Sequence, residues 1–363
     1  MKREKRKSIH EPTRSEHEIG SCAFVKLRAI SWIVILLCVV AVRAQNVDSR
    51  PRYQVGQTVD GAIRIWGDEQ MDAVMKRWQA SFQKHHPNVR FETKLLGTGT
   101  GMAGLYSGVA DVALLGRDAT SSEIMAFEWV FRYKPLGVEV ATGSLDVPSK
   151  TFAIGILVNQ DNPLTKLTLT QLDAIFGSEH RRGTRNTRTW GDLGLTGDWK
   201  DKPINVYGYD AETNTGSFFK HAVFNGSDKW NCELNEFADS KQPNGSLLDA
   251  GQRISEALAH DRYGIAYSNL RYVNRQVKAV SISLTDDGPF YEATKENLIQ
   301  RKYPLTRAVS IYVNRAPGQL LDPKVKEFLR YILSQEGQRE VAQDRDFMRL
   351  SDATAREQMR KLE

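Results

Sequence analysis

Three short polar loops, each containing glycine, are the first candidates for binding chemistry in this sequence. They cover residues 67–70, 97–101 and 213–217, and each falls between a predicted strand and a predicted helix. The first turn of a helix has unpaired backbone N–H groups and a partial positive charge, so each loop could attract an anion. Ordinary helix capping explains any single loop. Three such loops in one chain indicate a shared oxyanion site.

A fourth segment adds a positive charge. Arg117 follows the apolar run at 110–115. An arginine just beyond a buried strand is well placed to donate two parallel hydrogen bonds to an oxyanion. The alternative is a surface ion pair with Asp118 or Glu123.

The sequence lacks the signatures of the common enzyme classes, since it contains no HExxH, GxSxG or P-loop motif. Residues 99–104 match GxGxxG, but the strand predicted from Ala110 leaves room for only one or two helical turns, too few for a dinucleotide-binding crossover. The histidines are scattered, and Cys232 is the only cysteine after the first 44 residues. We therefore expect no catalytic residues, no metal, no cofactor and no internal disulfide.

The elements that must position these loops follow from hydrophobic spacing. Hydrophobic character alternates along residues 62–66, which predicts a strand. From Met71 to Phe82 apolar residues recur three and four positions apart, which predicts a helix. Further strands are predicted at 89–95 and 110–115. Strands alternating with helices in this way predict an α/β fold with a parallel sheet.

The rest of the chain continues the alternation. We predict strands at 151–158, 204–207, 264–267 and 308–313, and helices at 169–176, 217–224, 254–259, 325–333 and 338–342. Thr168 and Gln171 have the spacing of a capping box. The charged tail from Ala353 is predicted to be helical and loosely held.

The positive charge of the chain is concentrated at its N-terminus. The formal net charge is +6 over 363 residues, but residues 1–44 contain nine Lys or Arg and four Asp or Glu, which leaves a net charge of about +1 for the remainder. A basic patch for nucleic acid is therefore not expected. A length of 363 residues is typical of about two domains.

Residues 1–44 are predicted to be an export signal. A basic segment precedes an apolar run of about 14 residues from Ala29 to Val42, and Val42 and Ala44 fit the small residues of a cleavage site after Ala44. The run is short for a membrane span, although a retained anchor is the alternative. Residues 45–59 are expected to form a flexible lead-in, and the mature protein is expected to be periplasmic or secreted.

Several stretches together resemble the periplasmic substrate-binding proteins of phosphate ABC transporters, over roughly residues 60–345. They are GTGTGMAGLYSGVADVALLGRDATSSE (97–123), NPLTKLTLTQLDAIFGS (162–178), TGSFF (215–219), YGIAY (263–267), YPLTR (303–307) and FLRYILSQEGQ (328–338). The resemblance implies a type II periplasmic binding protein fold. Each of its two lobes is a mostly parallel sheet flanked by helices, with hinge strands between them. Lobe 1 would comprise 60–150 and 300–363, and lobe 2 would comprise 151–299.

The resemblance also implies which residues hold an oxyanion between the lobes. Hydrogen-bond donors would come from the loop at Thr98, from Arg117, and from the loop at Thr215, while Glu69 or Asp68 would accept one hydrogen bond. The full set of expected ligand-binding residues is Glu69, Gly97, Thr98, Gly99, Arg117, Asp118, Thr215, Gly216 and Ser217. The chain departs from the family at 209–214, where many members carry an arginine and this sequence has none.

The function implied by the resemblance is capture of phosphate, or a related oxyanion, by a monomer that delivers it to an ABC transporter permease in the inner membrane. A sensor or scaffold module with the same fold and weak or different ligand binding is the alternative, which the absent arginine favours. A phosphate-ester hydrolase is a third possibility, but it needs a nucleophile or metal ligands that the sequence does not show.

Overall fold

The computed structural model describes residues 50–183 and 185–363, so the predicted export signal and the start of the predicted lead-in lie outside the described residues. The strands are β1 (Gly61–Gly67), β2 (Val89–Leu95), β3 (Val112–Leu114), β4 (Leu136–Thr142), β5 (Ile154–Asn159), β6 (Lys166–Thr168), β7 (Asn205–Tyr209), β8 (Asn235–Phe237), β9 (Ser240–Lys241), β10 (Leu247–Leu248), β11 (Gly264–Asn269), β12 (Val277–Ala279), β13 (Ser281–Ser283) and β14 (Ala308–Val313). The α-helices are α1 (Asp72–Phe82), α2 (Thr98–Tyr106), α3 (Ser121–Phe131), α4 (Leu169–Phe176), α5 (Asn214–Val223), α6 (Ala250–His260), α7 (Lys295–Ile299), α8 (Pro323–Leu333), α9 (Gln335–Asp344) and α10 (Asp352–Arg360).

Two five-stranded sheets organise these elements. The first has the order β2-β1-β3-β14-β4, and the second has the order β12-β5-β11-β7-β8. In each sheet four strands run in one direction and one strand is reversed, β14 in the first and β5 in the second. We call each sheet with its flanking helices a lobe, lobe 1 for the first and lobe 2 for the second. The predicted two-lobed α/β fold is confirmed.

Each sheet is covered by helices on both faces, which explains why interior strands such as β3, β5 and β14 are nearly continuous runs of buried residues. In lobe 1, α1 and α8 pack on one face and α2 and α3 pack on the other. In lobe 2, α4 and α5 cover one face and α6 covers the other. Helix α4 begins with the predicted capping box, in which the Thr168 side chain accepts from the Gln171 backbone and the Gln171 side chain accepts from the Thr168 backbone.

Two crossover segments join the lobes, and they pair with each other. Residues 143–153 lead from β4 to β5, and residues 300–307 lead from α7 to β14. The Gly143 N–H donates to the Arg307 carbonyl at 2.9 Å, and the Ile154 N–H donates to the Leu305 carbonyl at 3.2 Å. A Cβ at Gly143 would lie 2.6 Å from the Thr151 carbonyl oxygen, so this close crossing requires glycine.

The charged C-terminal tail differs from the expectation of a loosely held segment. Helix α10 packs on lobe 1 with Ala355 and Leu362 fully buried, and the Glu139 N–H of β4 donates to the Gln358 side chain at 3.0 Å. A few apolar side chains on one face are enough to dock this helix, because the remaining charged residues stay in solvent.

The described part of the predicted lead-in is also held in place. Arg50 is buried, and its guanidinium donates to the Leu350 carbonyl at 3.2 Å. The Tyr53 hydroxyl donates to the Glu327 carboxylate of α8 at 2.9 Å. These contacts attach the segment to the helices of lobe 1.

No helix within the described residues combines the length and the apolar character that crossing a membrane requires.

Gln338 provides a test of how the C-terminal region is held. This fully buried amide donates to the carbonyls of Val140 and Ile332 at 2.8 and 3.0 Å and accepts from the Leu350 N–H at 2.8 Å. We expect Gln338→Leu to lower the free energy of unfolding by about 3 kcal/mol, because buried backbone groups lose their partners. Guanidinium denaturation measures this value. The exposed Gln343 on the same helix is the control, and a Gln343→Leu effect as large as that of Gln338→Leu would contradict the prediction.

Candidate functional site

The loops that follow β1, β2 and β3 meet at one edge of the lobe 1 sheet, because the carboxyl ends of parallel strands lie side by side. The Asp68 N–H donates to the Leu114 carbonyl at 2.9 Å, and the Gly97 N–H donates to the Gly67 carbonyl at 3.0 Å. A Cβ at Gly67 would lie 1.9 Å from the Leu114 carbonyl oxygen, and the φ of Gly67 is +154°. Only glycine allows the loops to approach this closely.

Asp68 is the carboxylate that binds these loops to one another. It is buried, and it accepts hydrogen bonds from the Thr98 hydroxyl and from the Gln70 N–H, the latter at 2.9 Å. The neighbouring Glu69 is exposed, and no hydrogen bond or ion pair joins its side chain to another described residue. Of the two carboxylates proposed from the sequence, Asp68 therefore stabilises the loops and Glu69 lies on the surface.

Arg117 forms the ion pair that the sequence left as the alternative. Its two terminal nitrogens lie 2.8 and 3.0 Å from the two carboxylate oxygens of Glu123, in a bidentate pair that is mostly buried. Burial raises the pKa of Glu123, but hydrogen bonds from Arg117 and Thr120 outweigh that effect and leave the pKa below its ordinary value. The Arg117 Nε is buried and has no partner among the described residues. Glu123 therefore fixes the position of the guanidinium.

A cavity of about 300 Å³ lies where the two lobes meet the second crossover segment. Lobe 1 contributes the loop that follows β3 and the start of α3, and lobe 2 contributes one face of α5. The lining residues are Arg117, Asp118, Ala119, Thr120, Ser121, Asn214, Ser217, Phe218, His221, Arg307 and Ala308. Two arginines, several hydroxyl groups and the first turn of a helix make this cavity suited to an anion.

Arg307 is the decisive residue of the cavity. Its relative exposure is 5%, and its guanidinium lies 5.1 Å from the ring centre of Phe218. No hydrogen bond or ion pair connects this guanidinium with any other residue that the structure describes. Burial, reinforced by repulsion from Arg117 and opposed by attraction to Asp118, lowers the pKa of Arg307 to about 10, so the group is charged at neutral pH. A buried charge without a hydrogen-bond partner is costly, and a bound anion would offset that cost.

Asp118 contributes a hydrogen-bond acceptor to the cavity. One of its carboxylate oxygens accepts from the buried Ser310 hydroxyl of β14 at 2.7 Å. The other oxygen has no partner within residues 50–183 and 185–363, and the residue is exposed. The carboxylate can accept a hydrogen bond from a ligand hydroxyl while Ser310 holds it in place.

The start of α5 is capped by its own loop. The Thr213 hydroxyl accepts from the Gly216 N–H at 3.0 Å, and the Thr213 carbonyl accepts from the Ser217 N–H at 2.8 Å. A Cβ at Gly216 would lie 2.6 Å from the Asp210 carbonyl oxygen, which explains the glycine. The Ser217 hydroxyl lines the cavity, and the described residues provide no partner for it.

Comparison with known proteins identifies the family. The profile of the PBP superfamily domain matches residues 54–336. This chain belongs to the PBP superfamily. It is 32% identical to the phosphate-binding protein PstS of Pseudomonas aeruginosa over 295 residues, which cover 81% of this chain and 85% of that protein. The resemblance inferred from the sequence is confirmed.

Two solved structures share their fold with this chain. PstS from Borrelia burgdorferi has a TM-score of 0.53 at 17% identity, over 80% of this chain and 99% of that one. An ABC-type phosphate transport receptor from Vibrio cholerae has a TM-score of 0.50 at 20% identity, over 79% of this chain and 99% of that one.

The cavity of this PBP superfamily protein unites some of the residues expected from the sequence and omits others. Arg117, Asp118 and Ser217 line it together. The other expected residues do not line it. They are the exposed Glu69 and, from the glycine-containing loops, Gly97, Thr98, Gly99, Thr215 and Gly216.

The sequence analysis missed Arg307, Phe218 and His221. The position of Arg307 could have indicated its role, because it lies directly before the buried strand predicted at 308–313. Arg117 likewise lies at the end of a predicted buried strand. The described residues contain no group of three or more His, Cys, Asp or Glu side chains that could hold a metal ion.

The ion pair between Arg117 and Glu123 predicts a pH dependence of stability. Folding lowers the pKa of Glu123. Its contribution to the free energy of unfolding is therefore fully present above its ordinary pKa of about 4.5, and it is lost as the pH falls through the pKa of the folded protein. We expect Glu123→Gln to cost on the order of 2 kcal/mol at pH 7 and much less at pH 3. Urea denaturation at the two pH values tests this.

Glu128 on the same helix is the control for that measurement, because its carboxylate has no partner within the described ranges. Glu128→Gln should have little effect at either pH. A Glu123→Gln cost that is the same at pH 3 and pH 7 would contradict the assigned ion pair.

Proposed function

We propose that this protein captures inorganic phosphate between its two lobes and delivers it to the permease of an ABC transporter on the outer side of the inner membrane. Its Pseudomonas aeruginosa relative is a phosphate-binding protein, and its structural neighbour from Vibrio cholerae is an ABC-type phosphate transport receptor. The observation that carries the proposal is Arg307, a buried residue that lines the cavity between the lobes and whose guanidinium has no hydrogen-bond or ion-pair partner among the described residues.

Arg307 supplies the positive charge that the sequence lacks at 209–214. It comes from the second crossover segment, yet it stacks on Phe218 of α5, one residue after Ser217. An anion at the start of α5 is therefore within reach of an arginine from a different part of the chain. This removes the reason for preferring a sensor or scaffold with weak ligand binding.

Asp118 supports phosphate over sulfate as the ligand. Phosphate keeps at least one proton near neutral pH, and the Asp118 oxygen that has no partner among the described residues can accept a hydrogen bond from that P–OH group. Sulfate has no proton to donate, so the carboxylate would repel it. The nearby Arg117 is already paired with Glu123, which leaves Arg307 as the main charge for the anion.

The placement of the cavity supports capture by lobe closure. Its walls come from the loop after β3 in lobe 1 and from α5 in lobe 2, and Arg307 lies where the crossover segments pair. An anion that binds both walls would stabilise the closed arrangement. This function requires no covalent step, and the protein acts as a monomeric binding protein rather than as an enzyme.

The proposal places the protein in the periplasm or outside the cell. It relies on residues 1–44 acting as an export signal, and that segment lies outside the described residues.

Removing the Arg307 charge tests the proposed function directly. We expect Arg307→Gln to weaken phosphate binding at least about 30-fold, because a buried charge pair with the ligand is lost. Isothermal titration calorimetry with inorganic phosphate measures this. The unliganded variant should be no less stable than the wild type, since the substitution removes an uncompensated buried charge. Arg315→Gln, beyond the other end of β14, is the matched control. Equal affinities for wild type and Arg307→Gln would contradict the assignment.

Asp118→Asn tests the selection of phosphate. An amide cannot accept the ligand proton with the strength of a carboxylate, and it no longer repels sulfate. We expect the ratio of phosphate affinity to sulfate affinity to fall by about tenfold or more, which corresponds to roughly 1.4 kcal/mol. Competition calorimetry with the two anions gives the ratio. Asp146→Asn, an exposed carboxylate on the first crossover segment, should leave the ratio unchanged. An unchanged ratio in Asp118→Asn would remove Asp118 from the selection mechanism.

A further inference from the structure

His221 lines the cavity from the last turn of α5. Four residues of α5 line the cavity at spacings of three and four, so they share one face of the helix: Asn214, Ser217, Phe218 and His221. At 1.5 Å per residue, His221 is about 10 Å along the axis from Asn214 and one turn beyond Ser217. The imidazole is exposed, and none of the described residues forms a hydrogen bond or ion pair with it.

The charged groups around His221 come from three parts of the chain. The loop after β3 in lobe 1 contributes Arg117, which is paired with Glu123, and Asp118. The second crossover segment contributes Arg307. On α5 itself, Lys220 is paired with Asp228 at 3.0 Å. Among the groups that line the cavity, His221 is the one whose side-chain type ordinarily changes charge between pH 5 and pH 8.

We propose that His221 acts as a pH-dependent second cation of the cavity, so that its protonated form holds a phosphate-type oxyanion more tightly than its neutral form does. The inference rests on the proposed function, because it concerns the same ligand. Phosphate itself loses negative charge as the pH falls below 7, which weakens its attraction to Arg307. A positive charge on the His221 imidazole would compensate for that loss. His221 is also in the last turn of α5, where the helix dipole favours a positive charge.

An anion at the start of α5, beside Asn214, would lie about 10 Å from His221 along the helix axis. Two unit charges about 10 Å apart, partly exposed to water, change an affinity by about three- to tenfold. The second ionisation of phosphate changes binding in every variant alike, so it cancels in a ratio of dissociation constants.

The experiment compares the full-length wild type with His221→Gln by isothermal titration calorimetry with inorganic phosphate at pH 5.5 and pH 8.5, at low ionic strength. We expect the affinities to be equal at pH 8.5 and the wild type to bind about three- to tenfold more tightly at pH 5.5. His221→Lys should bind more tightly than the wild type at pH 8.5, because it keeps the charge there. His260→Gln, an exposed histidine at the end of α6, should match the wild type at both pH values.

The outcomes separate this inference from the proposed function. A ratio of His221→Gln to wild-type dissociation constants that is the same at both pH values would overturn the role of His221 and leave phosphate binding intact. A wild type that releases no heat with phosphate at either pH would overturn the proposed function and this inference with it. The melting temperatures without ligand check that the variants are folded.

Discussion

A buried guanidinium that has no hydrogen-bond or ion-pair partner within residues 50–183 and 185–363 is the constraint on which the site depends. Arg307 is held between the lobes by the crossover pairing and by the ring of Phe218, and neither contact neutralises its charge. Native proteins rarely retain such a group unless something outside the chain completes it. The rest of the cavity is consistent with that need, since hydroxyl groups, the start of α5 and a proton acceptor surround the charge.

The two arginines of the cavity have different roles although they lie close together. Arg117 is fixed by Glu123 in a bidentate pair, so most of its hydrogen-bonding capacity is already used. None of the side-chain donors of Arg307 has an acceptor in the described part of the chain, and its repulsion from Arg117 increases the cost of leaving it unpaired. Glu123 neutralises Arg117, whereas no described residue neutralises Arg307. The attraction for an anion is therefore concentrated at Arg307.

Local patterns placed the loops of lobe 1 directly after strands, and these loops lie together because neighbouring parallel strands bring their carboxyl ends to one edge of the sheet. The cavity, however, is lined by the loop after β3 and not by the loops after β1 and β2. The same patterns could not separate Asp68 from Glu69. Which of two adjacent carboxylates turns inward depends on the close packing of Gly67 against Leu114, a contact between distant residues. Arg307 was missed for a similar reason, since its position depends on the pairing of two crossover segments more than 150 residues apart. His221 was within reach of prediction, because it is one helical turn beyond Ser217.

The reversed strand of the first sheet limits when that sheet can be completed during synthesis. Strand β14 lies between β3 and β4, and it is the strand that connects β4 to the rest of that sheet. Every strand of the second sheet precedes β14 in the chain. As the polypeptide emerges from its N-terminus, the second sheet can be complete while the first is still missing an interior strand. Arg307 immediately precedes β14, so the anion site cannot be complete before this late part of the chain has been synthesised.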